Sequence, residues 1–527
     1  MNKKTIALII LDGWGIGLPS PIVNPFTKAK TPTIDWIESY FPSSTLQASG
    51  IAVGLPWGEA GNSEVGHLTL GAGRVIFQNY PKITFEIKNK NFFKNKVLNE
   101  IFEKAKKNNS FLHLLGLFGL GHVHSSYEHL LALVELAKQK NFNKVLFHLF
   151  LDGRDSPPFS AKNLLLEFQK ILKETKVGKV ASISGRFYAM DRAKNWQRTQ
   201  KTWQAIVEGK GNLIKDPIKY LEENYKKKIT DEFIEPALIV KDEFELPTIK
   251  DNDVVFFFNF REDRIRQLFL SFCDKNFKEF ERKKVPKVFV ATMIKYLKGF
   301  DEVPFAFKKE ESLKNTLGEV ISKYGLSQLR IAETEKYAHV TYFFSGQREE
   351  PFFEEERVIL PSYPCFQFQE HPEMRAKEIT QRIILALKEE IWDFILVNFA
   401  NGDMIGHTGN YNACIKAIEI VDQCLNEILK IGLKKNVYFI ITADHGNIEE
   451  VRSPKTGEME TKHDPSPVPI YLVHKDFYLK RKKFSHFLGE APSSIGTLAD
   501  IAPTILSLFK IEKPKEMTGT DLTSILL

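Results

Sequence analysis

The chain has 527 residues, enough for two or more domains with well-filled cores. Hydrophobic residues make up 43% and charged residues 26%, the balance of a soluble globular protein. A net charge of +7 with no basic tail gives no argument for a nucleic-acid partner and is compatible with an anionic substrate.

At the start of the chain, Lys3-Lys4 precede the apolar run Thr5–Leu11 and imitate a short signal peptide. The run ends in Asp12-Gly13-Trp14-Gly15, with no small-residue cleavage site, so a buried strand closing at an acidic turn is expected instead. No apolar run reaches the ~18 residues of a membrane span. Next comes Gly61-Asn62-Ser63-Glu64-Val65-Gly66-His67. Ser63 lies between glycines, just before a helix-like run from His67 to Leu70. A serine at a helix N-terminus sits among free N–H groups in a positive field, where a phosphoryl group is stabilised. Asn-Ser-Glu is also an ordinary helix cap, and the motif taken alone favours that structural reading; the rest of the chain changes the balance.

Further along, Val145–Leu151, Val254–Phe260, Phe394–Phe399 and Val437–Thr442 are continuous apolar runs like Ile6–Leu11. Without alternation they read as strands buried on both faces. Helical patterns at Glu128–Gln139, Ala161–Thr175 and Tyr411–Ile431 lie between them, which predicts an α/β fold. In such sheets the chemistry gathers at the carboxyl ends of the strands. Here those ends carry Asp12, the run Asp152-Gly153-Arg154-Asp155, Arg261, Asp403 and Asp444-His445. The four cysteines, Cys273, Cys365, Cys414 and Cys424, form no Cys-x-x-Cys pair, so a reducing cytoplasm is expected.

The strand ends are of two chemical kinds. Near the N-terminus and in the last ~200 residues they carry metal-ligand types; in the middle they are arginine-rich. This predicts one domain built from residues 1–75 and 312–527, with a second domain, 76–311, inserted. His407 follows Asp403 by four residues, one helical turn, so both side chains can face one point. With Asp12, Asp444, His445 and the loop residue His463 they form a mixed oxygen and nitrogen set suited to Mn²⁺, Zn²⁺ or a similar ion. Taken singly, each has an ordinary structural reading; together they favour metal, and they suffice for two ions with Ser63 between them. Arg154, Arg186, Arg192, Arg261 and Arg264 form a second set suited to carboxylate and phosphate, and Arg261 and Arg264 share a face if a helix starts there.

These motifs resemble those of the cofactor-independent phosphoglycerate mutases of the alkaline phosphatase superfamily. The resemblance runs over nearly the whole chain: Leu11–Gly15, Gly61–Gly73, Leu151–Asp155, Gly185–Arg192, Phe258–Arg264, Ala332–Thr341, Asn401–Gly409 and Thr442–Asn447. It implies two α/β domains, a metal-bearing phosphatase-like domain and an inserted substrate domain, in a bilobed monomer. It implies two Mn²⁺ ions, one held by Asp403, His407 and His463, the other by Asp12, Ser63, Asp444 and His445. It places Lys336 by the transferred phosphoryl group, although a surface ion pair is the ordinary reading for a lysine in that glutamate-rich segment.

The activity implied is interconversion of 3-phosphoglycerate and 2-phosphoglycerate through a phosphoserine at Ser63, without bisphosphoglycerate. The arginines hold glycerate, Asp155 or His124 serves its hydroxyl, and closing lobes exclude water. The chain departs from the family pattern at Leu120, His122 and Ser126 around His124, at Tyr363-Pro364-Cys365, and at Asp464-Pro465-Ser466 after His463. Two other readings are a phosphatase or pentose-phosphate mutase on the same metal domain, and a metal-binding protein without turnover. The long central match opposes the first; the intact Ser63 and ligand set oppose the second.

Overall fold

A computed structural model of the chain describes residues 4–240, 246–308, 313–480, 484, 486, 487, 489 and 493–527. The chain divides into two compact units, Met1–Gln78 with Glu310–Leu527, and Asn79–Lys309. Each is built on one eight-stranded sheet.

In the first unit the strand order is Glu355–Leu360, Gln328–Glu333, Phe394–Phe399, Ile6–Leu11, Tyr438–Thr442, Val468–Val473, Ser43–Gln47 and Gly496–Thr497. The first five run parallel, and Val468–Val473 is antiparallel to both of its neighbours. Ile6–Leu11 is central and buried along its whole length, as an all-apolar strand must be. It pairs Leu11 with Phe399 and Ile10 with Thr442, which brings Asp12, the 401–407 segment and Asp444-His445 to one end of the sheet. Helix Tyr411–Lys434 starts on Asn410, whose side chain accepts the Ala413 N–H, and runs three residues beyond the expected end.

In the second unit the order is Phe305–Phe307, Phe289–Ile294, Val254–Phe257, Leu112–Phe118, Val145–Leu151, Lys179–Gly185, Ala237–Ile239 and Asn212–Ile214. Only Ala237–Ile239 runs against the neighbour it shares with the parallel set. The strand from Val254 stops at Phe257 rather than Phe260, because the Asn259 side chain turns inward to accept the Leu117 N–H at 2.9 Å. A buried polar row crosses three neighbouring strands. His113 Nε2 meets Asp253 at 3.1 Å, His113 Nδ1 meets His148 Nε2 at 2.9 Å, and His148 Nδ1 meets the Ser182 hydroxyl at 2.7 Å.

Among the described residues no helix is long and apolar enough to cross a membrane, and all four cysteines are free.

Candidate active site

Ser63 is the first residue of helix Ser63–Ala72. Asn62 is the cap: its side chain accepts the Val65 N–H at 3.1 Å, which leaves the serine hydroxyl available. The cap and the phosphoryl-acceptor readings therefore fall on different residues. Ser63 Oγ donates to Asp12 Oδ1 at 3.2 Å, lies 3.0 Å from His445 Nε2 and accepts from Lys336 Nζ at 2.7 Å.

Lys336 follows strand Gln328–Glu333 on a short helix, Thr334–Ala338, and is 2% exposed, which rules out a surface ion pair. Its ammonium bridges Asp12 Oδ1 and Asp403 Oδ2, each at 2.6 Å. Burial works against its charge, but Asp12, Asp403 and Asp444 outweigh burial and hold the lysine above its ordinary range.

His407 Nε2 and His463 Nε2 both face Asp403 Oδ1, at 3.1 and 3.0 Å, and lie 3.0 Å from each other. Each ring's Nδ1 faces a backbone carbonyl, Thr461 O for His407 at 2.7 Å and Gly61 O for His463 at 2.9 Å. With Nδ1 donating, both Nε2 lone pairs point at one carboxylate oxygen. That convergence of acceptors requires a cation or a proton. Asp444 Oδ1 accepts the Gly13 N–H, and its buried Oδ2 lies 3.1 Å from His67 Nδ1 and 3.5 Å from His445 Nε2. Despite burial, His445 and His67 hold Asp444 well below the usual carboxylate range. Two groups have ligand atoms close enough to share an ion: Asp403 with His445 and His463, and Asp12 with His67 and Asp444. The donor set fits divalent cations.

Glycines let these loops interlock. A Cβ on Gly13, at φ +69°, would lie 2.7 Å from Asp403 Cα; one on Gly402, 2.4 Å from Asp12 O; one on Gly66, 2.6 Å from Asp444 O. Each sits beside, or one turn from, a candidate site residue and admits the backbone of another.

The second unit carries the arginine set. Arg186 is buried, and its Nη1 binds Asp152 at 2.5 Å and Asp155 at 2.6 Å. His124, 3% exposed, lies 3.9 Å from Asp155 and 3.5 Å from Asp263. Burial, then Arg186, lowers His124 to about 4. Asp263 also pairs with Arg192 at 3.0 Å and Arg261 at 3.2 Å, and Arg154 lies 3.6 Å from Glu232. Arg154, Arg192 and Arg261 keep half or more of their side chains exposed. Arg264 is pushed down by burial and by Arg186, Arg192 and Arg154, a crowding of like charge that an anion would relieve. No helix spans Arg261 and Arg264. The helix starts at Arg266, after a turn in which the Ile265 N–H donates to Glu262 O, so the two arginines lie in a loop.

Residues 83–298 match the family described as BPG-independent PGAM N-terminus. Residues 327–486 match type I phosphodiesterase / nucleotide pyrophosphatase, which puts that stretch in the alkaline phosphatase superfamily. A 2,3-bisphosphoglycerate-independent phosphoglycerate mutase of Clostridium tetani is 46% identical over 522 residues, 99% of each chain. Its counterpart in Clostridium botulinum is 47% identical over 99% of this chain and all of its own length. The chain belongs to the 2,3-bisphosphoglycerate-independent phosphoglycerate mutase family. Among solved structures, a Leishmania mexicana phosphoglycerate mutase at low cobalt concentration is 31% identical, with a TM-score of 0.58, over 98% of this chain and 97% of its own.

Two of the departures from the family pattern, at His122 and at Asp464-Pro465-Ser466, have local explanations. His122 stacks on Tyr80 at 4.4 Å between ring centres, and Ser125 Oγ donates to Leu117 O at 2.6 Å, so the altered loop still buries His124. Asp464 accepts the Ser466 N–H at 2.9 Å and its hydroxyl, and the Asp464 N–H donates to Gly446 O, which fixes the loop carrying His463. Sequence reasoning missed His67, Asn398 and Asn447, which touch the site from behind. Asn447 Nδ2 holds Asp403 Oδ1 at 2.8 Å. The signals were there: His67 is one turn past Ser63, and Asn398 is a polar residue in an otherwise apolar strand.

Proposed function

We propose that this protein interconverts 3-phosphoglycerate and 2-phosphoglycerate without bisphosphoglycerate, through a phosphoserine at Ser63. The observation that carries the reading is Ser63 itself, a helix N-terminal hydroxyl in contact with a buried ammonium, a carboxylate and an imidazole, in a chain 46% identical to such mutases over its whole length. Asp403, His407 and His463 would hold one divalent ion, and Asp12, Asp444, His445 and Ser63 a second; Mn²⁺ suits the donors. Bound there, the ions supply Lewis-acid stabilisation and a lowered hydroxyl pKa.

The chain's own residues do the rest. Ser63 Oγ attacks phosphorus in line, and the bond from phosphorus to the glycerate oxygen breaks. Lys336, held charged, donates to the phosphoryl oxygens as negative charge builds on them. Free N–H groups of the helix start face the same oxygens. Arg154, Arg186, Arg192, Arg261 and Arg264 retain the glycerate by its carboxylate, with Arg186 fixed in place by Asp152 and Asp155. His124 is neutral at pH 7, so it or Asp155 accepts the proton from the 2-hydroxyl as that oxygen takes the phosphoryl group from Ser63. The proton lost by Ser63 ends on the 3-oxygen, and the proton taken from the 2-hydroxyl is returned to Ser63 Oγ as it leaves phosphorus, so both enzyme and charge are restored over the cycle. In this reading residues 76–311 form the substrate domain, and 1–75 with 312–527 the metal domain. The enzyme acts as a cytoplasmic monomer with no nucleic-acid partner.

³¹P NMR of 3-phosphoglycerate with the purified protein and Mn²⁺, without bisphosphoglycerate, tests this. The 2-phosphoglycerate resonance should appear with little free phosphate. Free phosphate as the main product would make the protein a phosphatase instead.

A further inference from the structure

His67 belongs to one of the two groups whose ligand atoms lie close enough to share an ion, alongside Asp12 and Asp444. Its surroundings point elsewhere. The ring is fully buried, one turn along the helix that starts at Ser63. Nδ1 lies 2.9 Å from Ser63 O and 3.1 Å from Asp444 Oδ2. Both neighbours are pure acceptors, so Nδ1 must carry the proton. Nε2 lies 3.0 Å from Asn398 Nδ2, and the same amide nitrogen donates to Asp12 Oδ2 at 2.7 Å. The Asp12 carboxylate fixes the amide's orientation, because the flipped amide would set its oxygen against a carboxylate oxygen. Both amide hydrogens are then engaged, one by Asp12 and one by His67. The imidazole thus donates at Nδ1 and accepts at Nε2, and no lone pair remains for a metal.

We propose that His67 is a positioning residue and not a metal ligand. It fixes the carbonyl of Ser63 through Nδ1–H and, by way of Asn398, the outer oxygen of Asp12. One chain of contacts thus sets the first turn that bears the nucleophile and leaves Asp12 Oδ1 turned toward Ser63. His445 differs: its Nε2 faces Ser63 Oγ and Asp12, and its Nδ1 lies by Gly446 O. The kinetic part rests on the phosphoserine reading; the tautomer does not.

The first test is ¹⁵N NMR of histidine-labelled, metal-free protein. His67 should carry its proton on Nδ1 and none on Nε2; a proton on Nε2 overturns the proposal. Addition of ¹¹³Cd²⁺ should produce no nitrogen–cadmium coupling at His67, and such a coupling would make it a ligand. The second test compares His67→Asn with His67→Gln. Asparagine places a donor near the Nδ1 position; glutamine is closer to histidine in volume but reaches the Nε2 position. H67N should keep Mn²⁺ affinity and kcat within about threefold, while H67Q should lose about ten- to hundredfold, as outer contacts of metal sites do. Glutamine as good as asparagine would mean that the ring only fills space. If either variant fails to fold, the wild-type tautomer still decides.

Discussion

Ser63 is 7% exposed, and its hydroxyl contacts three polar groups. Replacing it with alanine removes one oxygen and leaves Asn62 to cap the helix. Ser63→Ala should therefore lose at least about 10³-fold in kcat with the thermal midpoint nearly unchanged. Isomerisation assays beside thermal unfolding would show this; substantial mutase activity in the variant would remove Ser63 from the mechanism. Much at this scale was legible. Asp12, Asp403, Asp444 and His445 follow apolar strands, and hydrophobic patterning alone sends them to one sheet end. The burial of Lys336 was not legible, because the segment around it is rich in charge and only tertiary packing puts its ammonium between two aspartates. Nor was the occupation of His67, whose partners Asn398 and Asp12 are far away in sequence.

Loops and strands make their own demands. Gly402 has no positive φ to explain it; what it supplies is space, since a Cβ there would come within 2.4 Å of the Asp12 carbonyl oxygen. Gly402→Ala must separate the Asp12 and Asp403 loops. It should cost ~1–3 kcal/mol of stability and weaken Mn²⁺ binding, while Gly299→Ala in the other unit, strained by a φ of +84° but with nothing within 4 Å of the added Cβ, should leave Mn²⁺ binding unchanged. Calorimetric titration of both variants checks this. The histidines inside the second unit act in the opposite sense to an acid-stabilised pair. Burial lowers His113, His129 and His148, with His129 at about 3, so the folded state keeps them neutral. Between pH 6.5 and 3 the unfolded chain binds protons that the folded one refuses. Stability is thus fully present above pH 6.5 and falls as the pH drops, by up to ~1.4 kcal/mol per pH unit for each such histidine. Urea midpoints at pH 7.5 and 5.0 should show the loss, and His129→Phe should make it shallower. The turn at Arg261–Ile265 shows why short loops resist prediction: three- and four-residue spacing describes a helix only if one forms, and Asp263, drawn to both Arg192 and Arg261, is part of a loop that ends before the helix does begin.

For the whole molecule, the overall +7 hides a division. Asn79–Lys309 holds 43 Lys and Arg against 29 Asp and Glu, a net +14; the rest of the chain holds 30 against 37, a net −7. The unit with the arginine set is the one that attracts anions, and the unit that gathers cation ligands is the acidic one. For a substrate that carries both a carboxylate and a phosphate, kcat/KM should fall as salt rises from 20 to 300 mM while kcat changes little. A salt-independent kcat/KM would mean that capture does not depend on this field. The α/β class and the inserted arrangement were readable from the order of chemical types along the chain, whereas the antiparallel strands Val468–Val473 and Ala237–Ile239 were not, because each is short or resembles its parallel neighbours in composition.

The insertion also fixes an order of events during synthesis. Ile6–Leu11 is made first, but its two sheet partners begin at Phe394 and Tyr438. Until they leave the ribosome, a fully apolar strand has no edge to pair with, whereas Asn79–Lys309 already contains every strand of its own sheet. The middle of the protein can therefore fold while Ile6–Leu11 waits, for ~20 s or more at ordinary translation rates, and over that interval the nascent N-terminal segment carries an apolar strand without its sheet partners.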